Sequence, residues 1–180
     1  MSLKSTSRRY GSVAVSIHWI SALIIVLLIG SGLRADGAAD AAARIIPLRI
    51  HIALGLTVLV LTLARIAWWL FADNKPTSVP APRWQSRLSG AVHVLFYVVI
   101  LGMTASGIGM LFLSGAAPLI FEGTAANLPD FDLYPPRRAH GFGARLMIAL
   151  FVLHTGAALY HHFLKKDGLM QRMWFTRDRP

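Results

Sequence analysis

Seven histidines carry the chemistry legible in this sequence: His18, His51, His93, His140, His154, His161 and His162. Three of them fall in LHTGAALYHHF (153–163), a stretch otherwise built of Leu, Ala, Gly, Thr, Tyr and Phe. His140 and His154 are fourteen residues apart, close to four turns of α-helix, so on one helix they share a face and stand about 21 Å apart along its axis. His51 and Arg65 repeat that fourteen-residue spacing. An ionisable side chain in an apolar helix is costly and points to a bundle interior or a functional partner. Neutral imidazole is a metal ligand, and imidazoles also carry protons. The chain has no cysteine, which excludes disulfides, thiolate-held iron–sulfur clusters and covalently attached c-type haem. Any prosthetic group is left to histidine.

The elements that must position these side chains are membrane helices. A mean hydropathy of +0.55, with 55% hydrophobic and only 14% charged residues, is far from a soluble domain. Four apolar stretches, Val13–Leu33, Leu48–Phe71, Leu88–Leu113 and Gly141–Leu164, are each long enough to cross a hydrocarbon layer of about 30 Å. They predict an all-α, integral-membrane four-helix bundle, one domain over residues 1–180. The first run exceeds the ~7–15 residues of a signal-peptide core, so it is expected to persist as an uncleaved helix. Lys and Arg number 11 in the N-terminus, the Ala72–Arg87 loop and the C-terminal tail, against 5 in the other two connections, with Arg49 at the edge of the second stretch included. That bias predicts both termini on the cytoplasmic side. The net charge of +10 then reads as a positive-inside protein beside anionic membrane lipid, with no nucleic-acid partner. Ser114–Arg138, the longest external connection, holds Pro118, Pro129, Pro135 and Pro136 and is long enough to fold over the outer mouth.

In this orientation His51 and His140 lie near the external edge, and His18 and His154 lie in the cytoplasmic half. Six-coordinate haem iron takes a nitrogen on each face of the macrocycle. Two non-covalent b haems, one held by His51 and His140 and the other by His18 and His154, satisfy the pattern. Gly55, Gly141, Gly143 and Gly156, with Ala157 and Ala158, would let a flat ring approach the backbones, although small residues are also frequent at membrane helix contacts. Arg65 lies at the depth of the cytoplasmic haem, where it either pairs with a propionate or snorkels to the interface. A His-lined metal transporter fits poorly, because the ligands divide into two separate layers.

The motifs VSIHW (15–19), IHIALG (50–55) with Arg65 following, HVLFY (93–97), AHGFGA (139–144) and LHTGAALYHHF resemble those of the bacterial cytochrome b561 family over nearly the whole chain. These are small di-haem, quinone-reactive cytochromes of the inner membrane. The resemblance implies electron transfer between the periplasmic side and the quinone pool. In one branch it implies superoxide oxidation with ubiquinone as acceptor; in others, a quinone-linked subunit serving a separate, periplasmic redox partner. It carries over His93 and His161 as quinone contacts, and imidazoles near an interface suit a reaction that takes up protons. His162, turned about 100° from His161, is expected to anchor at the interface, as are Trp68, Trp69 and Trp174. At the outer mouth five arginines face five acids, so only local placement of Arg49, Arg137 and Arg138 near the external haem would attract an anion.

Overall fold

The computed structural model describes residues 2–77, 79–122 and 128–175. Four long helices, each apolar enough to cross a membrane, dominate it, and no strand occurs among the described residues. Helix α1 spans Ser12–Asp36, α2 Ala41–Ala67, α3 Arg83–Ser114 and α5 Pro135–Tyr160, while a short α4, Ala116–Glu122, follows α3. Each of the four long helices starts before the apolar stretch that announces it. The second apolar run begins at Leu48, yet α2 starts seven residues earlier, where the Asp40 carboxylate accepts the Ala43 N–H at 2.8 Å. That N-cap satisfies an orphan donor and fixes the start. Pro47 sits in the second turn, where it removes one backbone bond without ending the helix. Helix α5 opens on Pro135 and Pro136, in first-turn positions that have no N–H to lose.

Helices α1 and α2 pack as one antiparallel pair and α3 and α5 as another, with α2 touching α3. Ile24, Ile25, Val58, Val92, Val99, Ile100, Met147 and Leu150 form the buried core between the pairs. Each comes from mid-helix, so this apolar layer separates the two ends of the bundle. We call the end holding both termini proximal and the opposite end distal.

At the proximal end α2 and α5 both finish in a π turn, Trp68–Ala72 and His161–Lys165. Asp73, just past the first, is buried. It accepts from the Ser5 hydroxyl at 2.7 Å, the Ser5 backbone at 3.0 Å and the Trp68 indole at 3.1 Å. Arg172 donates to the carbonyls of Arg8 and Thr77, and the Trp19 indole donates to Met173. The N-terminal segment, the α2–α3 loop and the C-terminal segment are thus tied into one clasp. Trp68 and Trp174, expected as interfacial anchors, also belong to it, Trp174 packing edge-on against Trp19. At the distal end the expected cover is present in part: α4 buries Ala116 and Ile120 completely, while residues 123–127 of the Ser114–Arg138 connection lie outside the described residues. So do Arg177 and Arg179, counted above in the charge bias.

Candidate functional site

Two imidazole pairs face each other across the junction between the helix pairs. The distal pair is His51 on α2 and His140 on α5, with ring centroids 5.9 Å apart. The proximal pair is His18 on α1 and His154 on α5, 6.1 Å apart. Because His140 and His154 stand on the same continuous helix, the pairs are separated by about 21 Å along the bundle. A metal bonded at about 2.0 Å to a nitrogen of each ring, each nitrogen roughly 1 Å from its ring centre, sits between centroids about 6 Å apart. Both pairs have that spacing. Among the described residues no three His, Cys, Asp or Glu side chains converge on one point. A metal held by either pair would thus have two ligands of these types among the described residues.

The distal rings are fixed by the opposing helix of their own pair. His51 Nδ1 lies 3.1 Å from the Leu28 carbonyl and 3.3 Å from Ser31 Oγ. His140 Nδ1 lies 3.1 Å from the Met103 carbonyl and 3.0 Å from Ser106 Oγ. In each case the serine, three residues beyond the carbonyl, also donates to it. A carbonyl only accepts, so both imidazoles carry their proton on Nδ1 and present Nε2 as a free lone pair, the state a metal ligand requires. Glycine follows each serine, and a Cβ on Gly32 would come within 3.1 Å of the His51 ring. The two arms thus repeat one local device, a carbonyl, a serine three later and a glycine after it, on α1 and on α3.

The proximal pair is set differently. Arg65 Nη1 points at His18 Nδ1 from 3.3 Å, and Arg65 Nε is buried without a partner. Arginine can only donate, so this contact needs an unprotonated Nδ1, and a His18 that ligates through Nε2 cannot keep it. The guanidinium is then left facing the pair with buried donors to satisfy, which calls for an anion. His93, with Nδ1 held at 2.7 Å by the Ser89 carbonyl, packs against His154 at 5.4 Å, and Phe96 packs on the same ring.

His161 is not beside His93. It lies two turns further toward the proximal rim, bonded to Gln85 of α3 at 2.9 Å and to Asp167 at 2.5 Å. The Asp167 carboxyl is held below its ordinary value: partial burial raises it, but the bonds from His161 and from the Leu169 N–H outweigh that. His162 is half-buried with an unpartnered Nδ1, and Lys75 lies over the Trp69 ring at 5.9 Å. Of the distal arginines, Arg49 is engaged by the carbonyls of Ile120 and Phe121, and Arg137 by Asp36 and Asp132. Ser31, Ser106, Gln85 and Asp167 were not expected from the sequence. A serine in an apolar helix carries no signal of its own; only the matching Leu-x-x-Ser-Gly and Met-x-x-Ser-Gly segments, once paired with His51 and His140, single it out.

A four-helix membrane bundle with one facing imidazole pair toward each end is the architecture of a membrane electron-transfer cytochrome. The chain belongs to the prokaryotic cytochrome b561 family, whose profile matches residues 9–176. It is 28% identical over 172 residues to a protein of Yersinia pestis named probable superoxide oxidase CybB, covering 92% of this chain and 96% of that one. It is 24% identical over 169 residues to cytochrome b561 homolog 1 of Escherichia coli K12, with the same two coverages. Against cytochrome b562 of Cereibacter sphaeroides the figure is 26% over 175 residues, covering 93% and 96%. The family binds haem b and transfers electrons in the membrane, and the chain is a multi-pass protein of the bacterial inner membrane. Centroid spacing, free Nε2 atoms in the distal pair and the partnerless Arg65 donor all fit that group.

Proposed function

We propose that this protein is a di-haem b cytochrome that oxidises superoxide at its distal, periplasmic end and reduces ubiquinone at its proximal, cytoplasmic end. The observation that carries the reading is the two imidazole pairs, one toward each end of the bundle, with ring centroids 5.9 and 6.1 Å apart and ring planes 66° and 65° to one another. One haem would be held by His51 and His140, the other by His18 and His154. Bound there, haem b supplies one-electron iron chemistry. The orientation rests on the Lys and Arg bias of the loops, and the substrate on the likeness to the protein named probable superoxide oxidase.

The chain's own part is positioning. Ser31 and Ser106, with the carbonyls they share, hold the distal imidazoles in the ligating tautomer. Arg65, freed from His18, binds a haem propionate. His93 on α3 and His161 just past α5, about 10.5 Å apart in depth, would serve the two carbonyls of a quinone. Ubiquinone takes two electrons and two protons to become ubiquinol, so donors near water are needed at both oxygens. Purified protein should contain two b haems per chain by pyridine haemochrome assay. In stopped-flow mixing, superoxide should reduce the oxidised protein faster than it reduces free haem. One haem or none removes the scheme; two haems indifferent to superoxide remove only the substrate.

A second reading keeps the haems but gives them a protein partner at the distal end. The pairing of Arg137 with Asp36 and Asp132 favours it, since that cation is neutralised as a guide for an anion, and Arg49 is turned onto the carbonyls of α4.

A further inference from the structure

We infer that Asp167 and His161 form a proton-delivering dyad at the proximal mouth, held ready by Gln85, and that this dyad supplies one of the two protons taken up by the quinone. The inference rests on the reading of His161 as a quinone contact. Local backbone geometry builds the dyad. After α5, the π turn His161–Lys165 closes with the Lys166 N–H on the His161 carbonyl at 2.8 Å, and Lys166 turns left-handed at φ 52°. That reversal brings Asp167 back over His161, six residues behind it. The carboxylate is pinned in turn, since its Oδ1 accepts the Leu169 N–H at 3.1 Å.

The protonation pattern follows from the partners. An ionised carboxylate only accepts, so the 2.5 Å contact at Nδ1 is a donation from His161 to Asp167. Nε2 is then the lone pair, and the Gln85 amide N–H donates to it at 2.9 Å. When Nε2 gains a proton, the amide can turn over and accept through its oxygen, so Gln85 serves both states of the ring. An imidazole oriented by a carboxylate behind it, with its far nitrogen held only by an amide that can swing aside, is the arrangement of a general acid–base catalyst. The His161 side chain is 16% exposed and that of Asp167 24%, so the dyad spans the boundary between the bundle and water.

The step balances. The quinone receives two electrons, one at a time, from the cytochrome activity proposed above. As Gln85 turns aside, His161, as imidazolium, passes the proton on Nε2 from the amide oxygen to a quinone carbonyl oxygen, and that N–H bond breaks as the O–H forms. The neutral ring keeps its Nδ1 proton on Asp167, and water returns a proton to Nε2. The second proton reaches the other oxygen from the His93 side. Asp167 is a positioning residue here, because it acts through His161.

Stopped-flow reduction of the holoprotein by a short-chain ubiquinol reads the same proton step in reverse. Asp167→Asn should lower the maximal rate roughly tenfold to a hundredfold, with the half-saturating ubiquinol concentration nearly unchanged and both haem spectra and potentials as in wild type. Asp167→Glu should restore most of the rate. His161→Gln should be at least as slow, and the double variant no slower than His161→Gln alone, since one residue works through the other. A wild-type rate in Asp167→Asn with a slow His161→Gln overturns the dyad and leaves the quinone site standing. Wild-type rates in both overturn the quinone reading of His161 as well. Altered haem spectra in Asp167→Asn, or a double variant slower than both singles, also overturn the dyad.

Discussion

The distal and proximal histidine pairs share a spacing and differ in nearly everything around it. His51 and His140 each rest on a backbone carbonyl and a serine, neutral partners that fix ring and tautomer. His18 and His154 have a guanidinium and a third imidazole beside them. Their closures differ in the same sense. The distal end is covered by α4, pinned through Arg49, whereas the proximal end is tied by a clasp of three chain segments around Asp73 and Arg172. One layer fixes its two imidazoles in a single orientation and tautomer. On the function proposed above, the other responds to charge and exchanges protons.

The largest effect that tests this division is loss of a whole prosthetic group. His51→Ala or His140→Ala should halve the haem content per chain and leave one low-spin centre, and His154→Ala should leave the other. Spectra and redox titration distinguish the two survivors. If His51→Ala and His154→Ala retain the same centre, the assignment of the pairs fails. Next in size is Arg65→Met, which removes the cation from the proximal layer alone. Coulomb energy at the effective dielectric of a protein interior puts the fall in proximal potential on the order of 50–100 mV, because the electron-rich reduced state loses its counter-charge. The distal potential should not move. Equal shifts at both centres would mean that Arg65 acts through the fold rather than through local charge.

Much of this contrast was legible in the residues and part was not. The fourteen-residue spacings place His140 with His154 and His51 with Arg65 on common helix faces, and the structure puts His51 against His140 and His18 against His154. The helix ends were not legible, because α2 begins at Ala41 and already includes Arg44, ahead of the apolar run that opens at Leu48. An apolar stretch marks the part of a helix inside hydrocarbon, while caps outside it decide where the helix stops. His93 and His161 are both expected as contacts of one quinone, and depth along antiparallel helices sets His93 at His154 and Gln85 at His161. Asp167 was invisible for a related reason: a π turn and a left-handed residue reverse the chain there, and neither leaves a hydrophobic period to read.

Ser31→Ala and Ser106→Ala give a smaller effect on the distal layer. Each removes one hydroxyl from a shared carbonyl, leaving the imidazole Nδ1 still bonded to Leu28 or Met103. A neutral hydrogen bond contributes about 1 kcal/mol, so the distal potential should shift by no more than about 40 mV, with haem content intact. Because the two serines occupy equivalent places, the shifts should agree in sign. Loss of the distal haem in either variant would show that the hydroxyl, not the carbonyl, holds the ring.

The smallest effect is a pH dependence confined to the proximal clasp. Burial alone raises the Asp73 carboxyl, but hydrogen bonds from the Ser5 hydroxyl, the Ser5 and Asn74 backbone N–H groups and the Trp68 indole outweigh it and hold the group below its ordinary 3.8. A carboxyl depressed in the folded state contributes stability that is fully present above its ordinary value and is lost as pH falls through the folded one. The clasp should therefore be at full strength above about pH 4 and loosen only as the pH drops further. Hydrogen exchange in segments 2–11 and 170–175 should then accelerate before exchange around α4 does, since Arg49 holds α4 through backbone carbonyls that do not titrate. Asp73→Asn should bring faster exchange of those two segments to neutral pH and abolish its acid dependence, at a local cost on the order of 1 kcal/mol. Exchange that rises together at both ends in acid, or an Asn variant with wild-type protection at neutral pH, would place the proximal closure elsewhere than on Asp73.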